Sequence, residues 1–395
     1  MRPPRVAYFP DSFHEVNGVA HTSRNFVAFA QRHDLPFLCI RAGGRPGDTA
    51  TTLTDTGQLR ELELPRSRTA IRLEKDLQFD AIDWELKQFQ PDVIHITGPS
   101  ELGLFGAYFA WKLRIPLAAS WHTNVHEYLA RRMHGITDRL PARLNAPRFI
   151  EDATLAATAR FYRLARVLFA PNRDLCAMLE RATDKPCHLM QRGVDTTLFC
   201  PSRRTRTSST RLVLGYVGRL SIEKNIALLV QIARELRERN IPADFLIVGQ
   251  GGDEALLRQQ LPEATFAGVL RGEALAEAYA NMDIFLFPSH PDTFGNVVLE
   301  ALASGVPAIV TPDGGPRYIV TDTQTGFIAE DNAFSQAVAT LAAYPARLAE
   351  MRLAARTYAL GCSWDAVFDR VYAAYGEVLD LYRERSGEGA ASNPG

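Results

Sequence analysis

The sequence predicts an α/β chain of two domains, each a parallel sheet flanked by helices. Three observations carry that expectation. At 395 residues the chain is too long for one hydrophobic core. It opens with strand, helix and strand patterns at residues 5–9, 19–31 and 36–40, the order of a βαβ unit. A second β-loop-α-β unit at residues 284–311 lies beyond a Ser/Thr/Arg segment, 201–211, which lacks apolar periodicity and reads as a linker.

Composition narrows the function classes. With 46% hydrophobic and 23% charged residues the chain resembles an ordinary globular protein. Net charge is -1, but residues 1–200 carry 26 Lys+Arg against 22 Asp+Glu and residues 201–395 carry 18 against 23. That balance excludes a dominating nucleic-acid footprint and leaves room for a basic surface on the first half. Cys39, Cys176, Cys187, Cys200 and Cys362 form no C-x-x-C pair or Cys/His cluster, which argues against structural zinc. Their odd number, and the lack of an apolar h-region in the first ten residues, place the chain in the cytosol with reduced thiols. No stretch of 18 uncharged apolar residues is present to span a membrane.

In the first half, Asn17-Gly18 precedes the helix at 19–31, where a free amide can approach a phosphate; alone, the dipeptide reads as a plain turn. Residues 41–67 are polar and rich in Gly, Thr and Arg, so irregular structure with one short strand at 60–64 is expected. Strand character returns at 91–96, followed by a helix at 101–113 and a strand at 116–121. His95 lies within a strand and reads as a core histidine, whereas His122 ends its strand at the carboxyl edge, from which parallel sheets deliver side chains to ligands. Residues 131–166 hold Arg131, Arg132, Arg139, Arg143, Arg148, Arg160, Arg163 and Arg166 against Asp138, Glu151 and Asp152. With Tyr128, Leu129 and Met133 nearby, this run reads either as a solvated helical face or as a surface resting on anionic lipid, at about 1 kcal/mol per basic residue. A strand at 166–170, a helix at 172–181 and a turn at Arg192-Gly-Val-Asp195 complete the half.

The second half begins with a strand at 212–217 and a loop from Gly218 to Asn225, in which Arg219 and Lys224 can face one crevice and neutralise a diphosphate. Strands at 245–248 and 264–267 end in Gly249-Gln-Gly-Gly252 and Gly268-Val269-Leu270. The run 284–287 is apolar at every position and closed by Pro288, as a strand buried on both faces must be. Asn296 is then expected to cap a helix with a Val297, Leu299, Leu302 stripe, stopped by Gly305 and Pro307 before a strand at 308–311. Asp313-Gly314-Gly315-Pro316 is a further glycine turn, and helices are expected at 333–344, 347–358 and 364–383. Residues 386–395 are too small and polar to pack.

The chemistry concentrates in Asp292-Thr-Phe294-Gly295-Asn296 and the helix behind it. Gly295 stands beside a helix start, where free amides and the positive end of the dipole favour an anion. Glu300 follows Asn296 by four residues, about 6 Å along the axis. Two carboxylates thus bracket a phosphate-sized site, and a carboxylate accepts paired hydrogen bonds from vicinal hydroxyls: Glu300 is assigned to a ribose and Asp292 to a hexose.

This stretch resembles the acidic motif of retaining GT-B glycosyltransferases of family 4: an acid, seven residues, then Glu. Asp292 stands where that family usually has Glu, one methylene shorter, which bears on sugar selectivity more than on reaction class. The resemblance implies two Rossmann-like domains facing a central cleft, with 1–200 holding the acceptor, 201–360 the nucleotide sugar, 361–385 returning as a helix to the first domain and 386–395 a disordered tail. Gly193-Val194-Asp195 with Phe199 matches the family's G-V-D-x-x-x-F handover between domains. The resemblance also implies donor contacts at Gly18, Arg219, Lys224, Gly249, Val269, Asp292, Phe294, Gly295, Asn296 and Glu300, with His122, Arg219, Lys224 and Asp292 in catalysis. The implied reaction moves a hexose from GDP-mannose or a UDP-hexose to a lipid or saccharide acceptor with retention, with no cofactor and no metal. Peripheral contact with the inner face of an anionic membrane fits such an acceptor; no nucleic-acid partner is expected. An inactive nucleotide-sugar-binding protein and a GT-B epimerase are the alternatives. An NAD-dependent oxidoreductase is disfavoured, because neither half carries G-x-G-x-x-G with an acid about twenty residues on.

Overall fold

In a computed structural model of the chain, which describes residues 2–15, 17–46, 51–56, 58–66, 75–121, 156, 158–207, 211–290, 292 and 294–386, the contacts divide into two units. One comprises Met1–Arg192 with the chain from Val367 onward, and the other Gly193–Ala366. His122, Arg131, Arg132 and most of the basic run lie outside the described residues, as does the sequence beyond Ser386.

The first unit is built on eight strands: β1 Val6–Phe9, β2 Phe37–Pro46, β3 Thr51–Thr56, β4 Leu59–Arg66, β5 Val93–Ile96, β6 Leu117–Ser120, β7 Val167–Ala170 and β8 Cys187–Leu189. Their order is β3-β4-β2-β1-β5-β6-β7-β8, parallel throughout except for β3 against β4. The four-residue strands β1, β5, β6 and β7 are buried along their whole length, as apolar strands covered on both faces must be. The strand expected at 60–64 is present as β4, but the rest of residues 41–67 is more regular than expected: β2 runs on to Pro46, and β3 pairs with β4 at the sheet edge. Tertiary pairing overrides the weak local signal, because Leu62 and Leu64 enter the core while Arg41 pairs with Glu61 at 3.2 Å and Glu63 at 3.1 Å across β2 and β4. The helix Lys75–Phe89, also unanticipated, buries Ile82, Leu86 and Phe89 at helical spacing.

His95 is a core residue, hydrogen-bonded through its two ring nitrogens to Tyr375 and Ser120. Tyr375 belongs to the last helix, Trp364–Ser386, whose Phe368 stacks on Phe26 at 4.4 Å and whose Tyr382 hydroxyl donates to the Arg114 carbonyl at 2.8 Å. These contacts join the chain's end to the first unit.

The second unit has six strands, all parallel: β9 Leu212–Val217, β10 Ala243–Val248, β11 Thr265–Gly268, β12 Ile284–Phe287, β13 Ala308–Val310 and β14 Gly326–Ile328, in the order β11-β10-β9-β12-β13-β14. Strand β12 shows why: Phe285 and Phe287 enter one apolar cluster with Val298 and Leu302, while Ile284 and Leu286 enter another with Leu229 and Phe334. Helices therefore cover both faces, and the loops that leave β9 to β13 all emerge at the carboxyl edge.

Residues 201–207, read above as a linker, are fastened to this unit. Arg204 donates to Asp283 at 2.8 Å and to the Ala280 carbonyl at 3.0 Å, and Arg206 pairs with Asp283 at 2.5 Å. Asp283 is buried; burial raises its pKa, but the Val213 amide and the guanidinium groups of Arg206 and Arg204 outweigh that and hold it below the usual carboxylate value. An Arg-rich segment looks like a linker until its buried carboxylate partner, more than 70 residues away, is known.

Candidate functional site

The carboxyl edge of the second sheet gathers most of the singled-out residues. The loop after β12 carries Asp292, Phe294 and Gly295 into the helix Asn296–Ala303. Asn296 is not the cap: Gly295 occupies that position at φ 86, left-handed backbone that favours glycine, and Asn296 is the first helical residue. The buried stripe is correspondingly Val298, Leu299, Ala301 and Leu302, with Val297 less covered. A Cβ on Gly295 would also meet Pro316 at 2.9 Å, so the glycine turn after β13 packs against the helix start.

Lys224 and Asp292 are brought together. Lys224 Nζ lies 2.9 Å from Asp292 Oδ1 and 2.8 Å from Oδ2, and both side chains are about a fifth to a quarter exposed, at 21% and 24%. The charge assigned to a diphosphate thus faces the carboxylate assigned to a hexose. Arg219 does not join them: its side chain is 72% exposed and pairs with Glu223 at 3.5 Å. Its carbonyl accepts from the buried Tyr216 hydroxyl at 2.9 Å, which pins the backbone and leaves the guanidinium in solvent.

Glu300 stands one turn into the helix in a different environment. Tyr279, fully buried among Phe199 and Phe285, donates its hydroxyl to Glu300 Oε2 at 2.9 Å. Desolvation raises the Glu300 pKa to about 7, against the smaller opposing effect of the Tyr279 hydrogen bond. Sequence reading passed over Tyr279; an aromatic residue in an alanine-rich helix gives no local hint that its hydroxyl meets an acid 21 positions on.

The strand-end glycines bring the loops close. Gly249 adopts φ 133, and a Cβ there would come within 1.9 Å of the Gly218 carbonyl, so the ends of β9 and β10 meet backbone to backbone. Gly249 also donates to the Gly268 carbonyl at 2.7 Å, which sets Val269, half exposed, at the rim beyond β11. Gly314, at φ 70, lies where a Cβ would be 2.5 Å from the Asp292 carbonyl, and the Gly315 amide donates to that carbonyl at 2.8 Å.

A second polar group borders the pair. His290 places Nδ1 2.8 Å from Asp313 Oδ2 and Nε2 3.2 Å from Asp331 Oδ1, and Asp331 Oδ2 accepts from the Asn225 side chain at 2.9 Å. Of these four residues the sequence pointed to Asp313 as part of a glycine turn and to Asn225 as the end of a loop; His290 and Asp331 were passed over.

In the first unit, Asn17 caps the helix Gly18–Arg32 by accepting from the Ala20 amide at 2.8 Å. A Cβ on Gly18 would lie 2.0 Å from Arg192 Cζ, so the glycine leaves room for the guanidinium to approach the helix start. A helix start and a cation therefore meet at this first loop, an arrangement suited to an anion.

With this geometry in place, similarity to known proteins can be stated. Residues 16–198 match the family model described as Glycosyltransferase Family 4, and residues 211–343 the model described as Glycosyl transferases group 1. The chain is 33% identical over 386 residues to a GDP-mannose-dependent alpha-mannosyltransferase of Mycobacterium tuberculosis, spanning 95% of this chain and 97% of that one. It is 36% identical over 304 residues to the Mycolicibacterium smegmatis protein of the same name, spanning 74% and 76%. Among solved structures it resembles sucrose-phosphate synthase from Thermosynechococcus elongatus with a TM-score of 0.65 at 18% identity, covering 98% of this chain and all of that one.

Proposed function

We propose, since the chain belongs to the family 4 glycosyltransferases, that it transfers mannose from GDP-mannose to a hydroxyl of a lipid or saccharide acceptor, with retention and without a metal ion. The observation that carries this reading is the arrangement at the carboxyl edge of the second sheet, where one carboxylate is held by a cation and another is desolvated beside a phenol, on either side of a helix start. The names of the two mycobacterial relatives support the choice of mannose and guanine.

Each group then has a task. Glu300 accepts from the ribose hydroxyls, its orientation set by Tyr279. The amides that follow Gly295 face the diphosphate, with Lys224 balancing the charge that grows on it as the sugar leaves. Lys224 supplies positive charge of the kind a divalent ion supplies elsewhere, whereas the solvent-exposed Arg219, expected from the sequence to share that task, pairs with Glu223 instead. Asp292 binds the hexose. The bond from the anomeric carbon to the phosphate oxygen breaks, the acceptor oxygen bonds on the same face, and its proton passes to the departing phosphate, so no protein nucleophile is needed. Gly249, Val269, Phe294 and Asn296 complete the donor contacts, and His122 is assigned to the acceptor.

No described helix is long and apolar enough to cross a membrane. For a lipid acceptor, we place the enzyme on the cytoplasmic face of an anionic membrane through the basic run 131–166, a contact that vesicle binding tests.

The deciding experiment is a thermal-shift screen of GDP-, UDP- and ADP-sugars and NAD, coupled to a transfer assay in the presence of a chelator. GDP-mannose at a hundredfold excess over Kd should stabilise the protein by about 2.7 kcal/mol, and transfer should survive chelation. Stabilisation by NAD alone would defeat the reading; donor binding without transfer would identify an inactive binding protein, and donor conversion without acceptor an epimerase.

A further inference from the structure

We propose that His290 is a positioning residue of this site: by bridging Asp313 and Asp331 it locks the loops that carry Lys224 and Asp292 into one frame. The inference rests on the donor-binding reading above for its consequence, though not for its geometry.

Both ring nitrogens of His290 are hydrogen-bonded to carboxylate oxygens, Nδ1 to Asp313 Oδ2 at 2.8 Å and Nε2 to Asp331 Oδ2 at 3.4 Å. An ionised carboxylate can only accept, so both contacts are hydrogen bonds only when both nitrogens carry protons. A neutral ring would turn a lone pair toward one of the two acids. The surroundings favour the charged form: the hydrogen bond to Asp313 raises the His290 pKa above the ordinary value, burial opposes it, and Asp331 raises it further. Among the described residues the Asn225 side-chain amide also lies near the ring, with Nδ2 3.5 Å from Nε2, and is uncharged.

From this ring two routes lead to the Lys224 and Asp292 pair. On one side Asp331 accepts from Asn225 at 2.9 Å, and Asn225, held at φ 52, is the residue after Lys224. On the other side Asp313 precedes Gly314 and Gly315, which pack on and donate to the Asp292 carbonyl. Because Lys224 and Asp292 are themselves in contact, the two routes close a ring of interactions. The two acids lie on opposite sides of the imidazole and so do not converge on one cation, and among the described residues no group of three His, Cys, Asp or Glu is arranged to hold a metal. The cluster is a clamp between loops.

The sign of its pH dependence follows. With its pKa raised, the clamp is complete at low pH and opens on one side as pH rises through that pKa. His290 and its partners are 39% to 63% exposed, so each contact contributes modestly. Loss of the clamp should weaken GDP binding by roughly two- to fivefold. Ionisation of Glu300 works in the opposite sense, strengthening ribose contacts as pH rises through about 7, and only a variant at position 290 separates the two.

Calorimetric titration of the full chain with GDP between pH 5.5 and 9 makes that separation. His290→Gln should bind GDP more weakly than wild type at pH 6, and the difference should vanish by pH 9. Equal affinities at pH 6, or a difference that persists unchanged at pH 9, would overturn the proposal. A second measurement does not require GDP binding: by NMR, the His290 ring in the unliganded chain should titrate above the ordinary value of about 6.5 and fall in Asp313→Asn. A ring titrating at or below the ordinary value would refute the clamp even if GDP binds normally, whereas a raised ring pKa in a chain that ignores every nucleotide would refute the donor reading alone.

Discussion

Asp292 and Glu300 are eight positions apart on one short stretch, both acids, and the fold treats them oppositely. Asp292 sits in a loop with a lysine ammonium on both its oxygens, its negative charge matched directly. Glu300 lies in a helix against a buried tyrosine, where desolvation lifts its pKa to about 7 and the Tyr279 hydroxyl donates to it. The contrast teaches that an acidic motif is not two copies of one device: one carboxylate is paired with a cation and oriented for contact, the other is kept near its titration point and becomes a strong acceptor only when hydroxyls replace the water it has lost.

The largest test of this contrast removes the cation. Lys224→Ala should lower transfer by about a hundredfold or more, the range seen when one preorganised charge-stabilising donor is deleted. Steady-state transfer kinetics check it; wild-type turnover would mean that the lysine does no more than neutralise Asp292.

Next come the two acids themselves. Glu300→Gln should weaken both GDP-mannose and free GDP by tenfold to a hundredfold, because a hydrogen bond to a charged group contributes roughly 1.5–3 kcal/mol. Asp292→Asn should leave GDP binding near wild type and depress transfer by a similar factor. Calorimetry with GDP beside the transfer assay decides between them; equal losses of GDP affinity would erase the distinction.

A smaller effect appears in stability. A carboxyl whose folded pKa is raised holds its proton in the native state at a pH where the unfolded chain has released it, so stability falls as pH rises from the ordinary glutamate range through about 7. Glu300→Gln, free of that cost, should be more stable than wild type at pH 8 by on the order of 1–3 kcal/mol, with the gain disappearing near pH 4. Denaturant unfolding of unliganded protein at the two pH values measures this.

Along the comparison of the two acids, the mildest change is Tyr279→Phe. It deletes one hydroxyl and leaves the ring's packing intact, so GDP affinity should drop by roughly three- to tenfold, the weight of one hydrogen bond, and the Glu300 pKa should rise further. No change in affinity would show that packing alone orients the carboxylate.

Legibility in the sequence followed the range of the interactions involved. Strand β12 was readable because four apolar residues closed by proline are a local signal. The glycine at position 295 could be placed beside a helix start from its neighbours, but its left-handed backbone, which makes it the cap in place of Asn296, appears only in the folded chain. The edge strand β3 and the run of β2 to Pro46 were missed, whereas the strand at 60–64 was found as β4: Arg41 is matched across the sheet to Glu61 and Glu63 rather than along its own strand. The histidine clamp was missed although His290 stands two residues before Asp292, since its partners lie 23 and 41 positions away.

By itself the sequence determined two α/β units, the strand ends that carry the loops and the residue types available at one edge of the second sheet, because apolar periodicity and chain breakers act over a few residues. Only the tertiary structure decided that Lys224 meets Asp292 across 68 positions, that Arg219 turns to solvent, and that Glu300 is desolvated beside Tyr279. A side chain's charge state and partner depend on the groups packed around it and the water they exclude, and those neighbours come from parts of the chain that only folding brings together.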